Sequence, residues 1–525
     1  MNLLRYPLQN AGTLSQWFPP RSGGKTRCGG GGSRPRPARV QLVGLPDKAI
    51  QESRERVRSA LRNSGFRGPL VRVVINLAPA DLRKEGPSFD LPIALALLVA
   101  SGQLARPQIE GLWCAGELGL DGSLRPCRGV IALADQAKQQ QARALVIPPE
   151  NVQEANLIEG LLIRTAPNLR ALVERLKGEQ PWPGISCSGS RSFAANTSPD
   201  PWPCPHNSLA ARALALSAAG GHHLLLVGPP GCGKSRLAHQ LPRLLPALTP
   251  KEALTITRIH SVAGHLHGIE QLQQERPFRS PHHSCSAAAL LGGGRSPRPG
   301  ELSLAHGGVL FLDELAEFPR AVLDQLRQPL EDGSVQISRA QQSTVFPALI
   351  TLVAATNPCP CGWHGDRDHG CRCSISQRQR YWQRLSGPLL DRLDLQLRLE
   401  RRSAKEMAEL LNHHHTPSGD SGDWCTPARV HRARQRMQQR NPAGASNGRL
   451  SAAALSQSGA IDAAGLELWE QLIDQRGLST RSSLQLLRVA RTIADLNDRI
   501  TVDRNAVAEA SCYRCSDLLM QPPAQ

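Results

Sequence analysis

Apolar positions along the chain fall into short β-branched or leucine-rich runs set between longer stretches of helical spacing. Residues 71–77 form a β-branched strand run, residues 91–101 read as a buried helix, and Ala144–Ile147 is a further strand closed by Pro148 and Pro149. Strands recur at Leu224–Val227, Val309–Leu312 and residues 349–354, with helical stretches between them, so residues 208–400 are expected to fold around an α/β sheet. Between Glu331 and Pro347, the alternation of Val335 with Ile337, the polar tip Arg339-Ala340-Gln341 and the pair Val345-Phe346 predict a β-hairpin. From Trp424 to Leu519 the spacing is helical, with Arg429, Arg432, Arg434, Arg436 and Arg440 crowded on one segment.

Composition divides the chain. Residues 1–39 hold no acidic side chain, seven Lys or Arg, and a run of four glycines at 29–32, so they are predicted to be disordered: a basic nucleic-acid arm or a merely solvated segment. Residues 178–207 thin into Pro, Ser, Gly and Asn and read as a linker. Residues 401–423 read as a surface connection, and their triplet His413-His414-His415 points in three directions, a poor metal site. The expected units are therefore 40–177, 208–400 and 424–519. Lys and Arg number 62 against 44 Asp and Glu, a net charge of +18 that favours polyanionic partners. The longest apolar run, residues 91–100, is far short of the roughly 18 residues that span a bilayer, and the start lacks a signal-peptide pattern. The chain is expected to be soluble and cytoplasmic, with no membrane partner. Its 14 cysteines then sit in a reducing compartment, where a tight cluster points to metal before disulfides.

Gly228-Pro229-Pro230-Gly231-Cys232-Gly233-Lys234-Ser235 fits G-x-x-x-x-G-K-[ST], follows a predicted strand and opens a helical stretch. Such glycines let successive backbone N–H groups turn inward around phosphates, Lys234 offers charge to the β- and γ-phosphates, and Ser235 offers a hydroxyl to Mg²⁺. The run Val309–Leu312 ends in Asp313-Glu314: Asp313 suits the Mg²⁺ shell and Glu314 suits orienting or polarising the attacking water. Asn357, after the third strand, reads either as an amide holding that water or as a turn residue. The 79 residues from Lys234 to Asp313 exceed one crossover, and the excess carries Arg276, Arg279, His282, His283, Arg295 and Arg298: a phosphate-gripping insert or a solvated basic loop. Cys359-x-Cys361 and Cys371-x-Cys373 suit a structural, tetrahedral Zn²⁺ site, with His364 or His369 as substitutes, or else are free thiols.

Longer segments carry a resemblance. Ala219-Gly220-Gly221-His222-His223, Arg279-Ser280-Pro281-His282-His283-Ser284, Pro299-Gly300-Glu301-Leu302-Ser303, Asn357-Pro358-Cys359-Pro360-Cys361-Gly362 and Ser386-Gly387-Pro388-Leu389-Leu390-Asp391-Arg392-Leu393-Asp394 resemble the magnesium-chelatase-like branch of AAA+ ATPases, the YifB/ComM family. With Val43-Gly44-Leu45-Pro46 and Phe89-Asp90-Leu91-Pro92 in front, the likeness covers residues 40–518. It implies a multidomain α/β protein: a Lon-like, ribosomal-S5-like α+β front unit, an AAA+ P-loop core and a C-terminal helical lid. It also implies a homo-hexameric ring hydrolysing ATP with Mg²⁺, in which Arg392 matches the arginine finger acting on the neighbouring subunit. Arg481 matches the sensor-2 arginine, acting within its own subunit. The insert and the hairpin would face the pore and grip single-stranded or branched DNA without sequence preference.

Within the same likeness, Gly86-Pro87-Ser88 resembles the Lon nucleophile segment, yet Val130-Ile131-Ala132 stands where Lon has its lysine, so protease activity is disfavoured. The family normally adds strands before Val43, which residues 1–39 do not supply, so the front sheet is expected to have an exposed edge. The function implied is that of a DNA motor of the branch-migration helicase kind, associated with natural transformation. The alternative is a chelatase-type or protein-remodelling ATPase, though no D-x-S-x-S motif is present.

Overall fold

The computed structural model describes residues 40–43, 48–68, 73–76, 87–184, 209–265, 271–294, 297–339, 342–401, 426–458 and 461–514. The predicted disorder of residues 1–39, most of the linker, the triplet His413-His414-His415 and the segment just ahead of Pro87 lie outside them.

In the front unit, β1 (Val40–Val43) and β2 (Val73–Asn76) pair in parallel, with α1 (Lys48–Asn63) between them in sequence. Among the described residues this sheet has two strands. α2 (Asp90–Ala100) is apolar after its first residue, and Leu91, Leu95 and Leu98 are fully buried. Its first residue, Asp90, is also fully buried, which is tolerable because Arg56 donates to both carboxylate oxygens at 2.9 and 3.2 Å and the Leu118 N–H donates at 3.2 Å. A second parallel sheet follows, ordered β3 (Leu112–Cys114), β4 (Ala144–Ile147), β5 (Ile163–Thr165), with α3 (Val130–Gln139) between β3 and β4 in the chain. All four residues of β4 are buried, as expected of a central parallel strand covered on both faces. α4 (Leu169–Lys177) starts at an Asn168 cap and stops at Gly178, whose φ of +82° suits the left-handed helix end.

The central unit begins with α5 (Leu209–Gly220) and β6 (Leu224–Val227), then α6 (Lys234–Leu244) and α7 (Pro250–Ala263). Thr249 and Glu252 close a reciprocal cap on α7 with Pro250 in its first turn, an arrangement that pre-sets the helix start. β7 (Phe278–Arg279), β8 (Val309–Leu312), α8 (Arg327–Asp332), the hairpin β9 (Ser334–Arg339) with β10 (Gln342–Pro347), β11 (Thr351–Thr356), α9 (Ile375–Trp382) and β12 (Leu395–Arg398) complete it. Five of these strands form one parallel sheet in the order β12-β6-β11-β8-β7. The chain leaves β6 for the far edge, walks back to β11, then crosses to β12, so its direction of winding reverses beside β6. Such reversals open a crevice at the carboxyl ends of the strands. Register then decides what lines it: Val227 lies opposite Thr356, and Leu312 opposite Ala354, so Gly228, Asn357 and Asp313 emerge side by side.

The third predicted strand lies two residues later than the apolar run suggested. Leu349 is 44% exposed and stays in the connector, where its N–H donates to His306 Nδ1, and pairing begins only where Thr351 meets Val309. The C-terminal unit is helical as expected: α10 (Pro427–Arg440), α11 (Ala463–Arg476), α12 (Thr480–Leu496) and α13 (Arg504–Cys512). Its apolar faces share one core with α5 and the sheet, joining Val430, Leu486, Val489 and Ile493 to Leu224, Leu226 and Val353. No helix among the described residues is long and apolar enough to cross a membrane.

Candidate active site

The turn after β6 wraps around the Lys234 ammonium. Gly231 and Gly233 have φ values of +77° and +92°, the left-handed region that a side-chain-bearing residue enters only with strain. Lys234 donates to the carbonyls of Gly228 at 2.7 Å and Pro229 at 2.9 Å and to the Asn357 side-chain oxygen at 3.2 Å, which occupies its three hydrogens. The Gly228 N–H donates to the Thr356 carbonyl, tying loop to strand. A methyl group on Gly228 would come within 2.8 Å of the Leu399 carbonyl, so glycine is needed for space as well. Cys232 sits beside the lysine, and burial pushes its thiol up against the opposing pull of that charge. Pro230 is exposed on the outer rim.

Ser235 Oγ donates to Asp313 Oδ2 at 3.0 Å. A hydroxyl and a carboxylate joined this way are the donor set that a Mg²⁺ held jointly with a phosphate takes from P-loop proteins, so the residues fit that ion. Glu314 is one of the few non-glycine residues with positive φ, +52°, an arrangement costing about 1 kcal/mol or more, and its N–H turns back to Asp313 Oδ1 at 2.9 Å. The bend separates the two carboxylates: Asp313 faces Ser235, while Glu314 lies 3.0 Å from His283 Nδ1.

Arg392 and Arg481 meet on one oxygen. Glu331 Oε2 lies 2.7 Å from Arg392 Nη2 and 3.2 Å from Arg481 Nη2, and Arg392 also donates to the Pro388 carbonyl at 2.8 Å. Burial raises the Glu331 carboxyl, but the two guanidinium groups outweigh it and hold it below the ordinary range. The resemblance implies that Arg481 works within its own subunit. The first turn of α12 sets Arg481 beside Arg392 within one chain, both on Glu331.

Two arginines of the basic insert are paired inside the fold. Arg276 is turned inward to Pro246, Gly307 and Glu252, and Arg279 forms a two-pronged pair with Glu301 at 2.6 and 2.8 Å. Arg298 is exposed. Of the α10 arginines, Arg434 donates to the Ala218 carbonyl, Arg436 pairs with Asp498, and Arg440 pairs with the buried Asp495. The four thiols of Cys359, Cys361, Cys371 and Cys373 come together, all within 4.8 Å of one another. Ser88 lies in a single 3₁₀ turn, and its carbonyl accepts from Gly116.

Sequence reasoning overlooked three partners: His283 on Glu314, Glu331 between the arginines, and the buried His222, which meets Asp394 Oδ2 at 3.0 Å and Thr492 Oγ1 at 2.8 Å. Burial raises the Asp394 carboxyl and the His222 contact more than reverses it. The pair His222-His223 just before β6 was the available signal.

Comparison with known proteins covers most of the chain. Residues 205–407 match the family described as magnesium chelatase, subunit ChlI; residues 33–151 match subunit ChlI of Mg-chelatase; residues 425–514 match the C-terminal family of the same subunit. The chain is 41% identical to the competence protein ComM of Haemophilus influenzae, over 91% of this chain and 92% of that protein. The chain belongs to the YifB/ComM magnesium-chelatase-like family. Another member, the uncharacterized protein YifB of Escherichia coli, is 40% identical over 92% of both chains. The YifB/ComM relationship also reaches the uncharacterized protein Rv2897c of Mycobacterium tuberculosis, 40% identical over 90% of this chain and 93% of that one. Membership of this AAA-like family makes ATP and Mg²⁺ the expected ligands of the crevice.

Proposed function

We propose that this protein is a cytoplasmic, ring-forming ATPase, a homo-hexamer, that uses ATP hydrolysis to drive branch migration of DNA, with single-stranded or branched DNA as its sequence-independent partner. The observation that carries the reading is the convergence on one crevice of Lys234, Ser235, Asp313 and Asn357 at the ends of three adjacent parallel strands, with Glu314 next in the chain after Asp313. Gly228 to Gly233 cradle the phosphates, and Lys234 exchanges its carbonyl partners for phosphate oxygens. Ser235 and Asp313 would hold Mg²⁺, which would supply positive charge against the phosphates. Glu314 takes the proton of the attacking water once its carboxylate leaves His283, and Asn357 orients that water.

Arg392 is presented to the ATP of the adjoining subunit, where planar guanidinium charge meets the transition-state oxygens, and Arg481 reads the γ-phosphate within its own subunit. Support for DNA as the substrate comes from the net charge of +18 and from the name of the Haemophilus relative, a competence protein. The hairpin β9–β10 and the exposed Arg298 are the elements proposed to touch it. The match to magnesium chelatase subunits favours a second reading, a ring that remodels a protein partner.

One set of measurements separates these readings: ATP turnover, with and without DNA, and migration of a three- or four-strand junction, for the unaltered chain beside Lys234→Ala and Arg392→Ala. Turnover in the arginine variant should fall about 10³-fold, while mixtures of the two variants should regain part of it through mixed interfaces. ATP turnover indifferent to DNA, with junctions left unmoved, would sink the motor and leave the chelatase-type reading.

A further inference from the structure

Cys359, Cys361, Cys371 and Cys373 are the one His/Cys/Asp/Glu group among the described residues placed as a metal site, and the nucleotide chemistry above does not use them. Their separations bear on which metal. Cys359 Sγ lies 3.3 Å from Cys361 Sγ and 3.7 Å from Cys371 Sγ, Cys361 and Cys371 are 3.7 Å apart, and Cys373 completes a set in which no pair exceeds 4.8 Å. Four sulfurs at about 2.3 Å from a central zinc stand about 3.8 Å from one another at tetrahedral angles. These spacings bracket that value, and they exceed the roughly 2 Å of a disulfide.

The loop around the thiols is built rather than slack. Trp363 stacks on His369 with ring centroids 4.2 Å apart, Asp366 accepts from the His369 N–H, and Trp382 donates to the Pro358 carbonyl. Arg398, at the end of β12, donates to the His364 carbonyl.

This loop also touches the phosphate-binding turn at two points. Asn357, two residues before the first thiol, holds Lys234, and Gly362, one residue after the second, lies so close to Pro230 that a methyl group there would come within 2.8 Å of the ring. The pair Cys359 and Cys361 thus lies between two contacts to the P-loop, and whatever fixes those sulfurs fixes both contacts.

We infer that the four cysteines hold one structural zinc ion per chain, and that this centre positions the phosphate-binding turn for ATP. The second half of the inference rests on the ATP-binding reading; the first half does not. With four protein ligands the ion has no open position, so it takes no part in the chemistry.

The test measures zinc content of the full chain by elemental analysis and the affinity for a fluorescent ATP analogue, before and after removal of metal with a strong chelator. A chelator is preferable to a thiol reagent, because Cys232 of the P-loop would also react. One zinc per chain is expected, with ATP affinity falling about tenfold on its removal and returning when zinc is restored, the scale at which losing an orienting partner acts. Cys373→Ser should lose zinc and affinity together, and Cys373→His, which keeps a four-ligand set, should retain both. If the serine variant fails to fold, the chelation arm decides alone. Absence of zinc, or iron in its place, overturns the metal assignment. Zinc that leaves without changing ATP affinity overturns the positioning role. A zinc-loaded chain that binds no ATP overturns the ATPase reading and the positioning role with it, while the zinc assignment then stands on the metal content.

Discussion

At the scale of single residues, the site separates two neighbouring carboxylates by one backbone bend. Asp313 continues the line of β8 and meets Ser235, whereas Glu314, at φ +52°, swings to His283. Glu314→Gln keeps shape but removes the proton acceptor, so ATP should still bind while turnover falls by about 10² to 10⁴. Measuring nucleotide affinity beside turnover checks this, and parallel loss of both would assign Glu314 to binding instead. His283 occupies the oxygen that the proposed activation of water by Glu314 would use. Replacing it by alanine releases that oxygen, and DNA-free turnover is expected to rise a few-fold; turnover equal to or below that of the unaltered chain would show that the imidazole positions the carboxylate rather than restraining it.

At the scale of elements, the C-terminal helical unit is held by charge inside its own helices. Asp495 is 1% exposed and accepts from Arg440 at 2.6 and 2.8 Å, from Arg491 at 2.8 Å and from Asn447 at 2.8 Å, and Arg491 is itself 1% exposed. Removing the carboxylate strands buried guanidinium groups, so Asp495→Ala should destabilise the chain by about 3 to 5 kcal/mol, read as a lower denaturant midpoint. A change below about 1 kcal/mol, the scale of an exposed ion pair, would mean water reaches those arginines. This network also shows where sequence reading stops. β6, β8 and the turn Gly228 to Ser235 were legible because their signals are local: a four-residue apolar run, then glycines where backbone must turn. β7 has two residues, Phe278 and Arg279, too few for any period, and its place at the sheet edge comes only from pairing with β8. The arginines of α10 read from sequence only as a crowded basic segment. Their partners, Asp495 and Asp498, come more than 50 residues later, and no spacing rule connects them. Glu331 and Arg392 are likewise 61 residues apart, so the carboxylate shared by both candidate arginines was invisible until the fold closed.

At the scale of the whole molecule, the central sheet depends on two histidines staying neutral. Burial lowers His223 and His306 from 6.5 to about 4 each, and each uses Nδ1 to accept a backbone N–H at the entrance to β11, from Leu352 and Leu349 respectively, at 3.0 Å. A protonated ring cannot accept there. Between pH 6.5 and 4 the unfolded chain therefore binds a proton at each imidazole that the folded chain refuses, and the unfolded state gains as pH falls. Full stability is present above pH 6.5 and is lost progressively toward pH 4, by up to about 3 kcal/mol per histidine. The carboxylates held below their ordinary range, Asp394 and Asp495, add their losses only beneath pH 4, because their unfolded value is already near 3.8. Thermal midpoints measured across this window should fall with acidity for the unaltered chain and fall less for His306→Gln, whose amide oxygen accepts the Leu349 N–H without titrating. Identical slopes for the two proteins would show that His306 protonates as readily in the folded chain as in the unfolded one, and that the entrance to β11 does not depend on its lone pair.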